Sequence, residues 1–407
     1  MQRNEEYVER KFEEYYRDNV QRTKPPPEME KREYGFLLFK EGVMVRHRAF
    51  RTPSDLHAFI RTTVPAHAYN STAYYLEPEE DMDRKNWQGA DLTFDVDADH
   101  IATPCKYVHD VWTCKKCNAK GKGPVPDRCP ECQGEKLDEE VWLCESCLER
   151  AKEEVIKLVD FLAEDFGFSR RDITTCFSGH RGYHVHVRAE EVKSLDSDER
   201  KEIVDYVTGL GFDLNLHEGL LDRKSSSEGS YVEDRGWRGR VARGLYEILT
   251  KTSEDEMASW RIKRRVAKTI AEKRDEFASL WIAEKVEEFP EGVGPTTWRL
   301  LIQKAVERES VKVDTVVTTD THRLIRIPET LNGKTGFRAA EVSSIERFDP
   351  FSDAVAFKGE ETVYVKEAPQ FRVGNECLGP YSDTVVTIPA AAALLLISKG
   401  KASPRRD

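Results

Sequence analysis

The sequence predicts a mixed α/β protein with a zinc-type insertion and a helical subdomain, and three observations predict it. Strand-type alternation recurs between stretches of helical periodicity from one end of the chain to the other. Eight of the nine cysteines fall between Cys105 and Cys176, a local cluster that argues for metal rather than a disulfide framework. Residues 253–310 are strongly charged and largely helical in pattern. With 407 residues, two or three units are expected. The segments read as 1–104 and 149–252 for a core with a mobile loop, 105–148 for the insertion, 253–310 for the helical subdomain and 311–407 for the rest of the core.

Taken in order, residues 5–18 place Tyr7, Val8, Phe12 and Tyr15 at helical spacing, and Pro25-Pro26-Pro27 ends that helix. Gly35 to Phe39 and Gly42 to Val45 are β-rich runs on either side of Lys40-Glu41, which reads as a hairpin. Ser54 is the expected cap of a helix that runs through Ile60. Residues 90–97 alternate, with Leu92, Phe94 and Val96 on one face and Thr93, Asp95 and Asp97 on the other. Residues 149–166 form an amphipathic helix closed by Gly167, and Tyr183 to Val187 a short strand. Residues 225–239, rich in Ser and Gly, predict a mobile loop. Strands return near the end, where Pro389-Ala390 opens an apolar helix through Ile397.

Composition narrows the function. Hydrophobic residues make up 39% and charged residues 34%, with mean hydropathy −0.63, as in a soluble globular protein. No run reaches ~18 apolar residues, and the charged start lacks the apolar stretch of an export signal, so a cytoplasmic protein without a membrane span is expected. A net charge of −11 argues against coating nucleic acid through bulk charge and leaves a local basic groove open.

Asp95 and Asp97, at i and i+2 on one strand, leave the same face and place two oxygen donors close together, as a hard divalent cation requires. Alone this pair reads more often as solvated acids on a half-exposed strand. Ser178-Gly179-His180-Arg181-Gly182-Tyr183-His184 adds a polar glycine turn before a strand, where backbone amides, Ser178, Arg181 and His184 converge as a phosphate cradle without a Walker motif. Asp314 in Val313-Asp314-Thr315 offers a third carboxylate, followed by Arg323, Arg326 and Lys334. Cys114-x-x-Cys117 and Cys129-x-x-Cys132 have zinc-ribbon spacing, and Cys105, His109, Cys144 and Cys147 bracket them as a second Cys₃His set. Nesting the ribbon inside that set uses all eight ligands; other pairings of the knuckles remain open. Cys176 and Cys377 are expected in the core.

In this order the segments resemble the small catalytic subunit of the archaeo-eukaryotic DNA primase, archaeal type. The likeness runs from Arg32-Glu33-Tyr34 through Lys399-Gly400-Lys401-Ala402 and rests on FDVDAD, SGHRGYHVHV and the VD, RLIR and GKTG run. It implies a mixed-sheet primase catalytic core in which Asp95, Asp97 and Asp314 hold catalytic Mg²⁺ or Mn²⁺. Asp314 is preferred to Asp320 because its distance to Lys334 fits the family pattern. Ser178, Arg181 and His184 would hold the triphosphate, Arg323, Arg326 and Lys334 would complete the nucleotide pocket, and Glu33 and Arg46 would line it. The resemblance further implies two structural Zn²⁺ ions, a heterodimer with a large iron–sulfur subunit, a single-stranded DNA template and NTP substrates, with room for dNTPs and a part in repair. Many members have a basic residue where this chain has His180, and a histidine where it has Asn332. A zinc-dependent nucleic-acid-binding module, motivated by the basic residues Arg261, Lys263, Arg264, Arg265 and Lys268, and a repair or end-joining polymerase are the rival readings.

Overall fold

In the computed structural model, which describes residues 2–39, 42–213, 234–282 and 292–405, eight strands build the two sheets that position the site. They are β1 (Tyr34–Leu37), β2 (Met44–Arg48), β3 (His67–Ser71), β4 (Leu92–Asp97), β5 (Ile173–Phe177), β6 (Gly182–Val187), β7 (Leu324–Arg326) and β8 (Ala340–Val342). The helices named below are α1 (Gln2–Asn19), α2 (Pro53–Thr63), α3 (Glu145–Asp160), α4 (Gly236–Lys251), α5 (Pro295–Glu309), α6 (Thr315–Thr319) and α7 (Ala390–Ser398).

One sheet has the order β7-β3-β1-β2 and the other β8-β5-β6-β4, every pair antiparallel. The last quarter of the chain therefore supplies an edge strand to each sheet. In the second sheet Leu92, Phe94 and Val96 of β4 lie opposite Val187, Val185 and Tyr183 of β6, and all six are buried. Opposed residues of an antiparallel pair share a face. The other face consequently lines up Thr93 with His186, Asp95 with His184, and Asp97 with Gly182. Gly182 is needed there, because a Cβ would meet the Val96 carbonyl oxygen at 2.5 Å and the Asp97 Cα at 2.9 Å.

The alternation expected over residues 90–97 breaks at Asp91, and Trp87–Ala90 pairs separately with Ala73–Tyr75. Asp91 is buried and held by Arg32 at 3.0 Å and the Tyr74 hydroxyl at 2.6 Å. Buried Arg200 donates to the carbonyls of Ala90 and Asp91, both at 2.9 Å. A buried acid so completely paired fixes the start of β4, since breaking such a pair leaves an uncompensated charge.

Several expected boundaries move. Thr52, not Ser54, caps α2: its hydroxyl accepts from the Asp55 amide at 3.2 Å, with Pro53 in the first turn. The helix expected from 149 begins at Glu145, because Cys144 and Cys147 anchor its first turn, and it closes through a π turn at Phe161–Asp165 before Gly167 at φ +75°. Residues 236–239 of the expected loop form the start of α4, and residues 225–233 lie outside the described residues. Cys176 is buried on β5, whereas Cys377 is exposed and is not a core residue.

The chain divides into two compact units: Met1–Ile156, Arg170–Lys201 and Lys312–Asp407 form one, Lys157–Ser169 and Glu202–Val311 the other. The first contains both sheets and the insertion. Its α7 is buried from Ala390 through Ile397 against α1 and a sheet of Glu360–Ala368, Tyr381–Pro389 and Ala402–Pro404. The second is helical: α4 packs on α5, where Gly244 lets Ala305 approach, and buried Arg240 pairs with Asp165 at 2.9 and 3.2 Å. No described helix is long and apolar enough to cross a membrane.

Candidate active site and metal centres

The carboxylates meet at the end of β4. The Asp314 amide donates to the Asp95 carbonyl at 2.9 Å, which ties the start of α6 to β4 and brings the third acid beside the first. Asp314 Oδ1 caps α6 through the Val316 amide at 3.0 Å, and His100 Nε2 lies 3.9 Å from Asp314 Oδ2. Asp97 Oδ1 accepts from the Asp99 amide at 2.9 Å. Burial, then the charges of Asp97 and Asp314, push the Asp95 carboxyl up to about 7 against the pull of Arg323. Burial also raises Asp97, with Arg181 the foremost opposing cation. Asp95 is thus flanked by two further acids, but among the described residues only the two cysteine groups have three or more ligand atoms all within 4.8 Å of one another.

The cradle adjoins them through the β4–β6 register. Ser178 Oγ accepts from the amides of His180 and Gly182, both at 3.3 Å, so the hydroxyl closes the turn and keeps its own proton for a ligand. Gly179 sits at φ +75°, where a Cβ would lie 2.9 Å from the Asn332 Cβ. Asn332 Nδ2 donates to the Ser178 carbonyl at 3.1 Å, and Thr335 Oγ1 donates to the Gly179 carbonyl at 2.6 Å. The turn carrying exposed Lys334 is thus bolted to the cradle. Arg181 is almost wholly buried, its Nη2 in contact with the Asp99 carboxylate and its Nη1 3.8 Å from Asp110 Oδ1. Burial, helped by Arg326 and Arg323, drives His184 down to about 3, so its ring is neutral; Nε2 is 3.7 Å from Asp95 Oδ1 and Nδ1 is buried without a partner. His186 pairs with Thr93 Oγ1 at 3.2 Å and is a packed core residue.

Glu33 and Arg46 form a cluster of their own. Glu33 is fully buried, accepts from Arg46 at 2.9 and 3.2 Å and from the His47 amide at 3.2 Å, and lies 3.5 Å from buried Lys85. Burial raises its carboxyl, and Arg46 and Lys85 outweigh that and hold it below the usual range.

The cysteines sort into two groups, Cys105, His109, Cys144 and Cys147, and Cys114, Cys117, Cys129 and Cys132, each with all ligand atoms within 4.8 Å of one another. Within the ribbon, Cys114 and Cys132 sulfurs are 3.6 Å apart and Cys117 and Cys129 sulfurs 3.7 Å; in the knuckle Cys105 and Cys147 sulfurs are 3.4 Å apart. A tetrahedron of Zn–S bonds of ~2.3 Å spaces its sulfurs by ~3.8 Å, so both groups fit Zn²⁺. The ribbon sheet pairs Val111–Cys114 with Lys120–Lys122 and Leu137–Glu140, and its core is little more than Trp112, Cys114 and Cys129. So small a core needs metal to stay folded.

One buried acid escaped sequence reasoning. Asp110 Oδ1 lies 2.7 Å from the knuckle ligand His109 Nδ1, accepts from the Trp142 amide at 3.0 Å and stands 3.8 Å from Arg181 Nη1. It links the knuckle to the cradle, and only its place directly after a ligand histidine could have drawn attention to it.

Comparison with known proteins agrees with this geometry. Residues 133–344 match the family model described as DNA primase small subunit. Relatives named DNA primase small subunit PriS include those of Methanothrix thermoacetophila, 36% identical over 97% of both chains, and Archaeoglobus fulgidus, 36% identical over 98% of both. That of Cenarchaeum symbiosum is 31% identical over 96% of both.

Proposed function

The chain belongs to the DNA primase small-subunit family and is therefore the catalytic primase subunit, an RNA-polymerising nucleotidyltransferase; from that premise we propose how its residues divide the work. The observation that carries the reading is the register of β4 on β6, which sets Asp95 opposite His184 and so joins acids to phosphate cradle on one face. The primer 3′-oxygen attacks the α-phosphorus of the incoming nucleotide, the bond to the β-phosphate breaks, and pyrophosphate leaves. Mg²⁺ or Mn²⁺ bound by Asp95, Asp97 and Asp314 would activate that hydroxyl and neutralise charge on the leaving phosphates.

Arg181, Lys334, the Ser178 hydroxyl and a neutral His184 N–H bind the triphosphate oxygens. The buried, unpartnered Nδ1 of His184 and the place of Arg181 beside Asp97 support this. Arg323 offsets Asp95, and burial together with Arg326 and Arg323 keeps His184 neutral, which preserves it as a hydrogen-bond donor rather than a competing cation. Glu33 and Arg46 brace β1 against β2 at the margin of the pocket. The two cysteine groups hold structural Zn²⁺, the knuckle also steadying Arg181 through Asp110. A large primase subunit, a single-stranded DNA template and NTPs complete the system, with dNTPs as further substrates.

Arg181→Ala and His184→Ala test the assignment. Nucleotide KM is expected to rise at least tenfold with template Kd unchanged, since the lost contacts are to triphosphate. An equal loss of template affinity would make these residues template contacts.

A further inference from the structure

Lys399 stands at the C-terminal end of α7, far in sequence from the motifs, and its ammonium lies 3.2 Å from His180 Nε2 and 3.2 Å from the Val141 carbonyl. Two lone-pair acceptors leave its third proton unclaimed. Among the described residues no carboxylate lies within 4.0 Å of it, although the chain carries 74 acids. Glu140, the nearest acid in the sheet of the ribbon, is taken by Lys401. Asp110 is taken by His109.

The surroundings mix cations with two more distant acids. Burial, then Arg181 of the cradle and Lys334 of the adjoining turn, bring the Lys399 ammonium down to about 8 against the opposing pull of Glu140 and Asp110. His180 is held neutral by burial and by Lys399, Lys334, Arg326 and His67. Because its Nε2 must then accept from Lys399, its Nδ1 carries the proton and is a second donor. A cavity of about 520 Å³ opens beside Lys399, with Lys334, Ser398 and His67 on its polar side and apolar side chains such as Leu37 and Phe39 on the other. Ser398 Oγ is buried in this wall with no hydrogen-bond partner. An ammonium with an unclaimed proton, beside Lys334, an unpartnered Ser398 hydroxyl and an open cavity, has room for an anion.

We propose that Lys399, with His180 Nδ1–H and the Ser398 hydroxyl, forms a terminal-phosphate subsite that extends the cradle of Arg181 and Lys334 and grips the end of the nucleotide triphosphate remote from the reacting α-phosphate. The inference rests on the polymerase reading above. Lys399 binds a phosphate that leaves with pyrophosphate, so it governs nucleotide affinity rather than the chemical step.

The test is primer extension with Lys399→Met and Lys399→Arg, read as separate KM and kcat, alongside competition by inorganic tripolyphosphate. Lys399→Met is expected to raise nucleotide KM at least tenfold and tripolyphosphate Ki in parallel, with kcat at saturating nucleotide within about threefold of the unaltered protein and with Lys399→Arg restoring part of the affinity. A rise in KM without a rise in tripolyphosphate Ki, or no rise in either, overturns the subsite. If Lys399→Met does not fold, the unaltered protein carries the test. Its nucleotide KM is expected to climb between pH 7.5 and 9.5 as Lys399 loses its proton beside Arg181, Lys334, Glu140 and Asp110, and a flat profile overturns the proposal. Failure of the unaltered protein to extend any primer would instead refute the polymerase reading itself.

Discussion

Asp95→Asn removes the charge that the site holds at greatest cost. In the folded protein the Asp95 carboxyl titrates at about 7, against an ordinary value of 3.8, because it is buried beside Asp97 and Asp314. The gap corresponds to ~4 kcal/mol of destabilisation at ~1.4 kcal/mol per pH unit. The folded value is the raised one, so the cost is complete above about pH 7, shrinks as the folded carboxyl takes up a proton below it, and vanishes near 3.8. An asparagine avoids it, and Asp95→Asn freed of Mg²⁺ and Mn²⁺ is expected to resist urea better at pH 8 by a few kcal/mol. Between pH 8 and pH 5 that advantage should fall by ~3 kcal/mol. Added Mg²⁺ should stabilise the unaltered protein and not the variant, since only a competent site gains from ligand binding. Extension by the variant should drop by a thousandfold or more. Urea titrations at the two pH values decide the matter: a variant no more stable than the parent at pH 8, or one whose advantage is the same at pH 5, would refute the reasoning.

Three further outcomes are expected. Metal analysis should find two Zn²⁺ per chain, with Cys117→Ser losing one and keeping extension, whereas Cys147→Ser loses one and loses most activity; equal damage from the two would detach the knuckle from the site. Asp110→Asn should weaken zinc retention by ten- to a hundredfold and raise nucleotide KM, and a change in neither would make Asp110 a packing residue. Below pH 6.5 the fold should weaken, because His67 at about 2, His184 at about 3, and His180 and His186 well below the ordinary range stay neutral while the unfolded chain takes up protons. His67 and His184 are each worth ~2 kcal/mol between pH 6.5 and 5, and His180 and His186 act in the same direction, against an opposite contribution from Asp95, so a urea midpoint that does not fall over that interval contradicts the burial of these rings.

Much of the site was legible because its chemistry is local in sequence. Asp95 and Asp97 share a face by strand periodicity alone, and the glycine turn before His184 announces itself in composition. The knuckle pairs likewise declare their ligands through spacing, and the structure brings together the two nested groups. What pattern could not deliver was long-range. Lys399 meets His180 across 219 positions, and Asp314 reaches Asp95 only through a backbone hydrogen bond between α6 and β4. The break at Asp91 was hidden for another reason: an acid within an alternating run reads as solvent-facing unless the buried Arg32 that pairs with it, and the Arg200 that holds its carbonyl, are known. Helix ends slipped by a few residues where a neighbouring cap or metal ligand, rather than periodicity, fixed the start, as at Thr52 and Cys144.

The most direct measurement is incorporation of labelled NTPs on a primed single-stranded DNA template by the unaltered protein, Asp97→Asn and Asp314→Asn, each with and without added Mg²⁺ or Mn²⁺. The unaltered protein should extend the primer only with the divalent ion, and both variants should fail while retaining zinc and template binding. Extension that persists without the ion, or near-normal extension by Asp314→Asn, would contradict a three-aspartate metal site.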